Sequence, residues 1–370
     1  MEIIAFEPEN QRLRHKFIQL PYHLYQHDPN WSPPLRMDIR QIFNRKKHGF
    51  YKHGETHFLL ALQNGEPVGR LVMLNNHGME KKTGHFFLFE VENNFEIAAQ
   101  LFNRGVAWAK SQGLTKLFGP KGMTPLDGMG LLVRGFEHCP AFGMPYNPEY
   151  YPEFYCKYGF TEIRRIDSGY ISTNRFTLPE KVQRAANLIQ ERKGFHVMRL
   201  HKRKELRKAI QYLGEMYNAA LTGTEGNASL TEYDLRSIVQ VVLWIAKPEL
   251  IKLIFKEDQP VGFLLAYPDV TAALHATGGR ILPFGWINFL WEKHHSNWIN
   301  INGIGIADAY RGMAATALLF SELYQSVTSS RQFKHAEVIQ ISTENERMHL
   351  ELQGMGINFY KTHAMYELEI

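Results

Sequence analysis

The residues best suited to chemistry lie in the second half of the chain, where an apolar segment leads into a loop of small residues. Residues 304–306 read Ile-Gly-Ile, and residues 311–320 read RGMAATALLF. This order predicts a strand, a short loop and a helix whose first amide N–H groups have no helical partner. A helix N-terminus carries partial positive charge, and small residues let an anion approach the backbone. With Arg311 beside it, the junction is predicted to hold a pyrophosphate-like anion. An ordinary helix start after a strand is the alternative.

Four polar residues downstream of this junction are candidates for proton transfer or ligand contact. Tyr360 and His363 fall in the closing strand or strands, and Glu344 precedes Asn345 at the start of a predicted helix. A phenol, an imidazole or a carboxylate can act as a general acid or base when it lies within hydrogen-bond reach of the reacting atoms. Structural roles are equally open: an ordinary histidine for His363, a helix-start charge for Glu344 and an N-cap for Asn345.

The elements that must position these residues occur twice. Residues 59–72 (LLALQNGEPVGRLV) and 252–265 (KLIFKEDQPVGFLL) share an apolar run, a polar turn, Pro-Val-Gly and a second apolar run. Further along, Asn147 and Asn345 each open a stretch that ends in glycine followed by a large apolar residue. The two signals come in the same order at nearly the same spacing, which indicates a duplicated unit.

Each unit is predicted to begin with helices and to continue with an antiparallel hairpin and then alternating strands and helices. This order predicts an α+β fold of two tandem units, each a mixed, mostly antiparallel sheet flanked by helices. We place the units at residues 1–176 and 195–370, joined by a charged bridging helix over residues 177–194.

Composition limits the class of protein. The 370 residues are 44% hydrophobic, which is enough for a core in each unit and argues against bulk disorder. The net charge of +5 permits an anionic ligand without requiring nucleic acid, so no nucleic-acid partner is expected. Cys139 and Cys156 lack a metal-ligand spacing, so no metal is expected. No signal peptide and no apolar stretch of the ~20 residues that a bilayer span needs are present. These features predict a cytoplasmic protein without a transmembrane segment.

Taken together, the junction at residues 304–320 and the closing segment 343–368 resemble the GNAT superfamily of acyl-CoA acyltransferases, in a tandem two-domain form with altered motifs. The family loop reads Arg/Gln-x-x-Gly-x-Gly/Ala, and the matching positions here are Arg311, Ala314 and Thr316. Both family glycines are therefore replaced, which weakens the match.

The closing helix departs from the family pattern in a second way. Many members have a tyrosine four residues before the terminal glycine, where it acts as general acid towards the departing CoA thiolate. That position is Leu352 in the second unit, whereas the first unit has Tyr155. Residues 92–96 of the first unit (Glu-Asn-Asn-Phe-Glu) place acidic groups where phosphates would bind, and these repel an anion. The first unit is therefore predicted not to bind the cofactor, and Tyr155 is predicted to be a packed aromatic.

The resemblance implies acetyl-CoA or another acyl-CoA as cosubstrate, bound in the second unit. The cofactor-binding residues that it implies are Ile304, Ile306, Arg311, Gly312, Met313, Ala314, Ala315, Thr316 and Asn345. The catalytic candidates are Tyr360, His363 and Glu344, of which the first two are expected close to the path of the thioester.

Residues 267–295 form an insertion where a plain unit needs only a short turn. Its apolar residues include Trp286, Phe289, Leu290 and Trp291. The insertion is interpreted as a roof over a hydrophobic acceptor or a long acyl chain, as a plug against the first unit, or as a helix on a membrane surface.

The sequence predicts an acyltransferase that moves an acyl group from acyl-CoA to a small-molecule or lipid-like amine, catalysed in the second unit. A homodimer is possible. A non-catalytic ligand-binding protein and a lipid- or aminoacyl-directed transferase are the alternatives, because tandem members of the family include several kinds of transferase.

Overall fold

The chain alternates strands and helices in two similar series. The computed structural model describes residues 1–78, 82–124, 127–221, 231–232, 242–311 and 313–370. The strands are β1 Glu2–Phe6, β2 Gly54–Gln63, β3 Glu66–Asn76, β4 Thr83–Val91, β5 Lys116–Gly119, β6 Leu131–Arg134, β7 Thr161–Ser172, β8 Phe195–Met198, β9 Lys252–Lys256, β10 Gln259–Pro268, β11 Trp298–Ile306, β12 His335–Ser342 and β13 Asn358–Glu369. The α-helices are α1 Gln11–Leu24, α2 Arg36–Gln41, α3 Phe95–Ser111, α4 Tyr151–Tyr158, α5 Glu180–Lys193, α6 Arg203–Leu221, α7 Thr271–Thr277, α8 Gly285–His295, α9 Ala315–Ser330 and α10 Glu346–Gly354.

All of these strands belong to one mixed sheet. Its order is β1-β2-β3-β4-β5-β13-β7-β12-β11-β10-β9-β8, with β6 beside β13. The pairs β4/β5 and β11/β12 are parallel, and the remaining pairs are antiparallel. The β2–β3 hairpin turns at Asn64 and Gly65, both with positive φ, as its Asn-Gly sequence predicts. A mixed sheet flanked by helices confirms the predicted α+β class.

The two halves exchange their last strands. β13 ends the second half, yet it lies between β5 and β7 of the first half. β7 ends the first half and pairs with β12 of the second. The sheet therefore continues from one half into the other, and the predicted boundaries at residues 176 and 195 separate two sequence repeats that share their central strands.

Separate apolar cores lie on the two faces of the sheet. In the first half, α3 and α4 cover one core and α1 covers another. In the second half, α5, α9 and α10 cover one core and α6 covers the other. Each amphipathic helix therefore buries one side against the sheet. In both halves helices cover the two faces of the sheet, which gives three layers: helix, sheet and helix.

The insertion between β10 and β11 forms the helices α7 and α8, so it has regular structure of its own. The helix predicted over residues 232–246 lies largely outside the described residues, although residue 232 and residues 242–245 are helical. Within the part of the chain that the structure describes, none of the helices has both the length and the apolar character needed to cross a membrane.

Candidate functional site

The central parallel strands of the second half separate partway along their length. β11 and β12 pair from Trp298↔His335 to Ile301↔Val338, and the pairing then ends. Just beyond this point Gly303 has φ +119° and Gln340 has φ +53°, which are bulge-like interruptions of extended backbone. The two strands therefore diverge beyond Ile301 and Val338. An opening lies between them, beside residues 302–306 of β11.

A cavity of about 1190 Å³ occupies this opening. That is above the range of roughly 300–1,000 Å³ usual for small-molecule sites, so the cavity suits a large ligand. It lies among the ends of β11 and β12 and the first turns of α5, α9 and α10. The lining residues are Met129, Arg164, Ile166, Lys181, Val182, Ala185, Ile304, Gly305, Ile306, Tyr310, Arg311, Ala314, Ala315, Thr316, Ala317, Phe320, Gln340, Ser342, Glu344, Asn345, Arg347, Met348, Glu351 and Met355.

Helix α9 points its N-terminus into this cavity. Ala314 precedes the helix with φ +63°, the left-handed region in which the corresponding family glycine would be at ease. Ala315, Thr316 and Ala317 form the first turn and line the cavity. Since no side chain of the described residues caps this turn, its amide N–H groups are available to a bound anion.

Four cations, from one strand, two helices and a loop, surround the same space. Arg164 comes from β7, Lys181 from α5, Arg347 from α10 and Arg311 from the loop before α9. The arginines have carboxylate partners at the rim, with N–O distances of 3.1 Å from Arg164 to Glu344, 3.0 Å from Arg347 to Glu351 and 2.7 Å from Arg311 to Asp308. The Arg347–Glu351 and Arg311–Asp308 pairs are exposed and therefore weak, so an incoming polyanion can replace their carboxylates. Arg164 is largely buried.

Most of the predicted cofactor residues meet at the cavity. The lining includes Ile304, Ile306, Arg311, Ala314, Ala315, Thr316 and Asn345. Asn345 also caps α10, because its Oδ1 accepts a hydrogen bond of 3.2 Å from the Met348 amide. Met313 is partly exposed outside the lining, and Gly312 lies outside the described residues.

The three predicted catalytic residues are spread over two places. Glu344 lies at the cavity rim in its ion pair with Arg164. Tyr360 and His363 do not line the cavity, because β7 and β12 separate their strand from β11. His363 is buried, its Nε2–H donates to the Pro145 carbonyl at 3.1 Å, and burial lowers the pKa of this imidazole to about 4. This environment is that of a neutral core histidine.

Tyr360 belongs to a buried polar cluster formed by Asp269, Asn300, Glu337, Tyr360 and Lys361. The Glu337 carboxylate and the Lys361 ammonium lie 2.7 Å apart, with 4% of each side chain exposed. Burial raises the pKa of Glu337, and Lys361 opposes that rise. Burial and the adjacent Glu337 carboxylate raise the pKa of the Tyr360 phenol. Asn300 donates to Asp269 Oδ1 at 2.9 Å.

This cluster lies next to the opening. Asn300 and Glu337 are a strand pair directly before Ile301↔Val338, where β11 and β12 part. Gln340, three residues beyond Glu337, lines the cavity and donates to the Met129 carbonyl at 2.6 Å. Glu337 was missed in the sequence, although a lone glutamate in the apolar strand HAEVIQIS is a signal of a buried functional or structural charge.

The corresponding junction of the first half is filled by its own side chains. β4 and β5 also separate, after His85↔Phe118. There the Val91 amide donates to the Tyr151 hydroxyl at 2.7 Å, and the Tyr150 hydroxyl donates to the Val91 carbonyl at 2.7 Å. The Asn94 side chain caps α3 by accepting from the Glu96 amide at 3.0 Å.

Tyr155 also packs inside this first-half core. Its side chain is fully buried, and burial raises the pKa of its phenol. Its hydroxyl has no hydrogen-bond partner among the described residues. Tyr155 is therefore a packed aromatic, as predicted.

Two relatives match nearly the whole chain. Protein YghO of Escherichia coli is 25% identical, and the match covers 96% of this chain and 92% of the relative. A protein named bacterial ceramide synthase, from Caulobacter vibrioides, is 24% identical over 95% of this chain and 94% of its own length. No protein-family model matches the chain.

A solved structure identifies the architecture. A tandem GNAT protein from the clavulanic acid biosynthesis pathway superimposes with a TM-score of 0.59 at 11% sequence identity. The match covers 100% of this chain and 98% of that protein. The chain therefore has the tandem GNAT fold that the sequence predicts.

Proposed function

We propose that this chain, which has the tandem GNAT fold, is an N-acyltransferase that binds an acyl-CoA in its second half and transfers the acyl group to an amine. One observation carries the proposal. The cavity between the parted strands β11 and β12 combines an uncapped helix N-terminus with four cationic side chains. The equivalent junction of the first half is occupied by Tyr150, Tyr151 and Asn94, which supports a single cofactor site.

The residues of the cavity fit the chemistry of CoA. The first amides of α9, together with Arg311, Lys181 and Arg347, would hold the phosphate groups. The side of β11 that faces the opening has no strand partner beyond Ile301 among the described residues, so its amides and carbonyls are available to the amide-bearing arm of CoA. Ile304 and Ile306 are among the apolar contacts beside that arm.

The transfer makes specific demands on nearby groups. A C–N bond forms between the amine and the acyl carbon, the C–S bond of the thioester breaks, the amine loses a proton and CoA leaves as a thiol. Glu337 is a candidate proton acceptor, because burial raises its pKa and it lies beside the point where the strands part, although it is not among the residues that line the cavity. Tyr360 stays protonated at neutral pH and can donate. Glu344 and His363 remain catalytic candidates, although one lies at the rim and the other faces Pro145.

We further propose a long acyl chain and a lipid-like amine as the substrates. The name of the Caulobacter relative, a bacterial ceramide synthase, supports N-acylation of a lipid amine. The apolar insertion supports the same class, since a small polar acceptor needs no such surface.

The test is amide formation in vitro. The purified chain is incubated with palmitoyl-CoA or acetyl-CoA and with a long-chain amino alcohol or a small polyamine. Thiol release and the amide product, identified by mass spectrometry, are measured. Palmitoyl-CoA with the long-chain amine is expected to react fastest. Arg311→Glu is expected to abolish the reaction, whereas Arg331→Glu, a charge reversal beyond the other end of α9, retains it.

The outcomes separate the alternatives. Thermal stabilisation by acyl-CoA without any amide would identify a ligand-binding protein and contradict the transferase. Reaction restricted to acetyl-CoA and the polyamine would leave an N-acyltransferase and overturn the lipid assignment. Absence of both binding and product with every acyl-CoA would reject the proposal as a whole.

A further inference from the structure

The insertion exposes a concentrated apolar surface. Of the fourteen large apolar side chains exposed among the described residues, six lie within residues 282–291. We name these six the insertion patch: Leu282, Phe284, Trp286, Ile287, Leu290 and Trp291. The side chains of Leu282 and Phe284 are 77% and 73% exposed, the two largest exposed fractions among the fourteen. Such a concentration marks an interaction surface.

The segment that carries the insertion patch packs against the rest of the protein. On the opposite side of α8, Phe289 is buried in a small core with Ile245 and Tyr267. The Arg36 guanidinium of the first half donates to the Gly278 carbonyl at 2.9 Å, just before the patch. The insertion therefore packs against the first half, as the plug interpretation predicts, and presents its remaining face to solvent.

The fold itself does not require this segment. In the first half, β3 and β4 are joined by residues 77–82, whereas β10 and β11 are joined by residues 269–297. Since both hairpins reach the same sheet geometry, the additional residues serve something other than the sheet.

A cationic rim borders the patch at the C-terminal end of α8. It consists of Arg203, Lys247 and Lys293, of which the first two come from distant parts of the sequence. These groups donate to neutral oxygens: Lys293 to Trp244 O at 2.7 Å, Arg203 to Leu243 O at 2.6 Å and Lys247 to Gln332 Oε1 at 2.5 Å. His294 lies beside them, and burial followed by Lys247 and Lys293 lowers its pKa, so it adds no charge at neutral pH.

The charge of the rim is positive overall. Burial, and then the neighbouring Arg203 and Lys247, lower the pKa of Lys293 to about 8, which shows that like charges are crowded there. Glu249 and Glu292 are the acidic groups beside the rim. The rim therefore keeps a positive charge at neutral pH, beside a patch that contains two tryptophans.

We propose that the insertion patch docks on the surface of an anionic lipid bilayer. Tryptophan, isoleucine and leucine on one side of α8, with Leu282 and Phe284 just before the helix and cations at its end, suit the boundary between acyl chains and negative headgroups. A second copy of the chain would cover the apolar face but would gain nothing from the positive rim, which repels its own copy.

Docking here would also serve the proposed reaction, on which this part of the inference rests. The insertion lies beside the polar cluster: Tyr267 donates to the Phe142 carbonyl at 3.4 Å, and Lys361 donates to the Cys139 carbonyl in the same loop at 3.1 Å. A membrane-resident amine could therefore present its headgroup to the cluster while its chain stays in the bilayer.

The experiment is vesicle co-sedimentation of the full chain without acyl-CoA. Vesicles contain equal parts of phosphatidylcholine and phosphatidylglycerol, or phosphatidylcholine alone. We expect binding to the mixed vesicles, and at least about a tenfold loss of affinity in the double variant Phe284→Ser/Trp291→Ser, because the variant removes two of the apolar side chains that would enter the bilayer. The matched control is Leu188→Ser/Leu350→Ser, two exposed leucines on α5 and α10.

Circular dichroism and size-exclusion chromatography accompany each variant. Failure of the native chain to bind either vesicle, or equal loss of binding in the control, would overturn the proposal. So would a native dimer that the patch variant alone converts to a monomer, with no vesicle binding. Vesicle binding without amide formation would leave docking intact and reject the proposed function. Amide formation on a detergent-dissolved amine without vesicle binding would reject docking alone.

Discussion

At the scale of single residues, Ala314 before α9 has the left-handed backbone conformation that a glycine adopts without strain. Ala314 has φ +63°, a conformation that costs an L-residue about 1–2 kcal/mol. Glycine would avoid that cost but lose somewhat more chain entropy on folding. Ala314→Gly is therefore expected to raise the free energy of unfolding by about 0.5–1 kcal/mol without weakening acyl-CoA binding. Denaturant unfolding and calorimetric titration check both. A destabilised variant would show that Ala314 is not held in the left-handed region.

Buried histidines give the protein a predictable dependence on pH. Burial lowers the pKa of His363 to about 4 and that of His85 to about 3. In the unfolded chain these two imidazoles bind a proton near pH 6.5, whereas in the folded chain they bind one only at lower pH. The stability that each of these two histidines contributes is therefore full above about pH 6.5 and falls as the pH drops towards 4, by a few kcal/mol per histidine.

The check is unfolding at pH 7 and pH 5 for the native chain, His363→Asn and His15→Asn. The first variant is expected to reduce the loss of stability between the two pH values. The second replaces an exposed histidine and is expected to leave that loss unchanged. An unaltered loss in His363→Asn would contradict the buried, neutral imidazole.

The sequence identified residues that are contiguous along the chain and missed those that the fold assembles. Arg311, Ala314 and Thr316 were found because one loop and one helix start carry them. Arg164 and Lys181 belong to the end of the first repeat and to the bridging helix, and only the strand exchange brings them to the cavity. No local pattern could reveal such contacts.

At the scale of elements, the cleft depends on the interrupted backbone of β11. Gly303 has φ +119°, and a Cβ there would meet Phe263 only at 3.5 Å, so backbone strain is the main obstacle to substitution. Gly303→Ala is expected to cost about 1–3 kcal/mol of stability and to weaken acyl-CoA binding, because a relaxed strand would close on β12.

Gly143→Ala is the matched control. Gly143 has φ +80° with nothing within 4 Å of an added Cβ, and it lies outside the cavity lining. Both variants are expected to lower the unfolding free energy, and only Gly303→Ala is expected to lower affinity in a calorimetric titration. Equal affinity in the two variants would mean that the bulge does not form the site.

The elements themselves were largely predictable. The Asn-Gly hairpin, the strand–loop–helix junction and the repeat of both follow from local turn chemistry and apolar periodicity. The partner of β13 was not predictable, because the same alternation of side chains fits beside β5 or beside β12. Strand partners depend on tertiary packing that a single sequence does not specify.

At the scale of the whole molecule, the exchange of β7 and β13 joins the halves into one sheet. Residues 358–369 pair with β5, β6 and β7, so the first half needs the end of the chain to complete its sheet. We expect one cooperative thermal transition by scanning calorimetry. A chain that ends at Gly356 is expected to lose the structure of both halves, because β5 and β7 would be left as open edges. Two separate transitions, or a stable folded truncation, would contradict this coupling.

We propose that acyl-CoA binds where β11 and β12 part, and not at the equivalent junction of the first half. Hydrogen–deuterium exchange of the chain with and without palmitoyl-CoA distinguishes the two places. We expect slower exchange in residues 304–320 and 342–349 on binding, with no change in residues 88–102. Protection of residues 88–102 instead, or no protection of residues 304–320 under conditions where palmitoyl-CoA is bound, would contradict it.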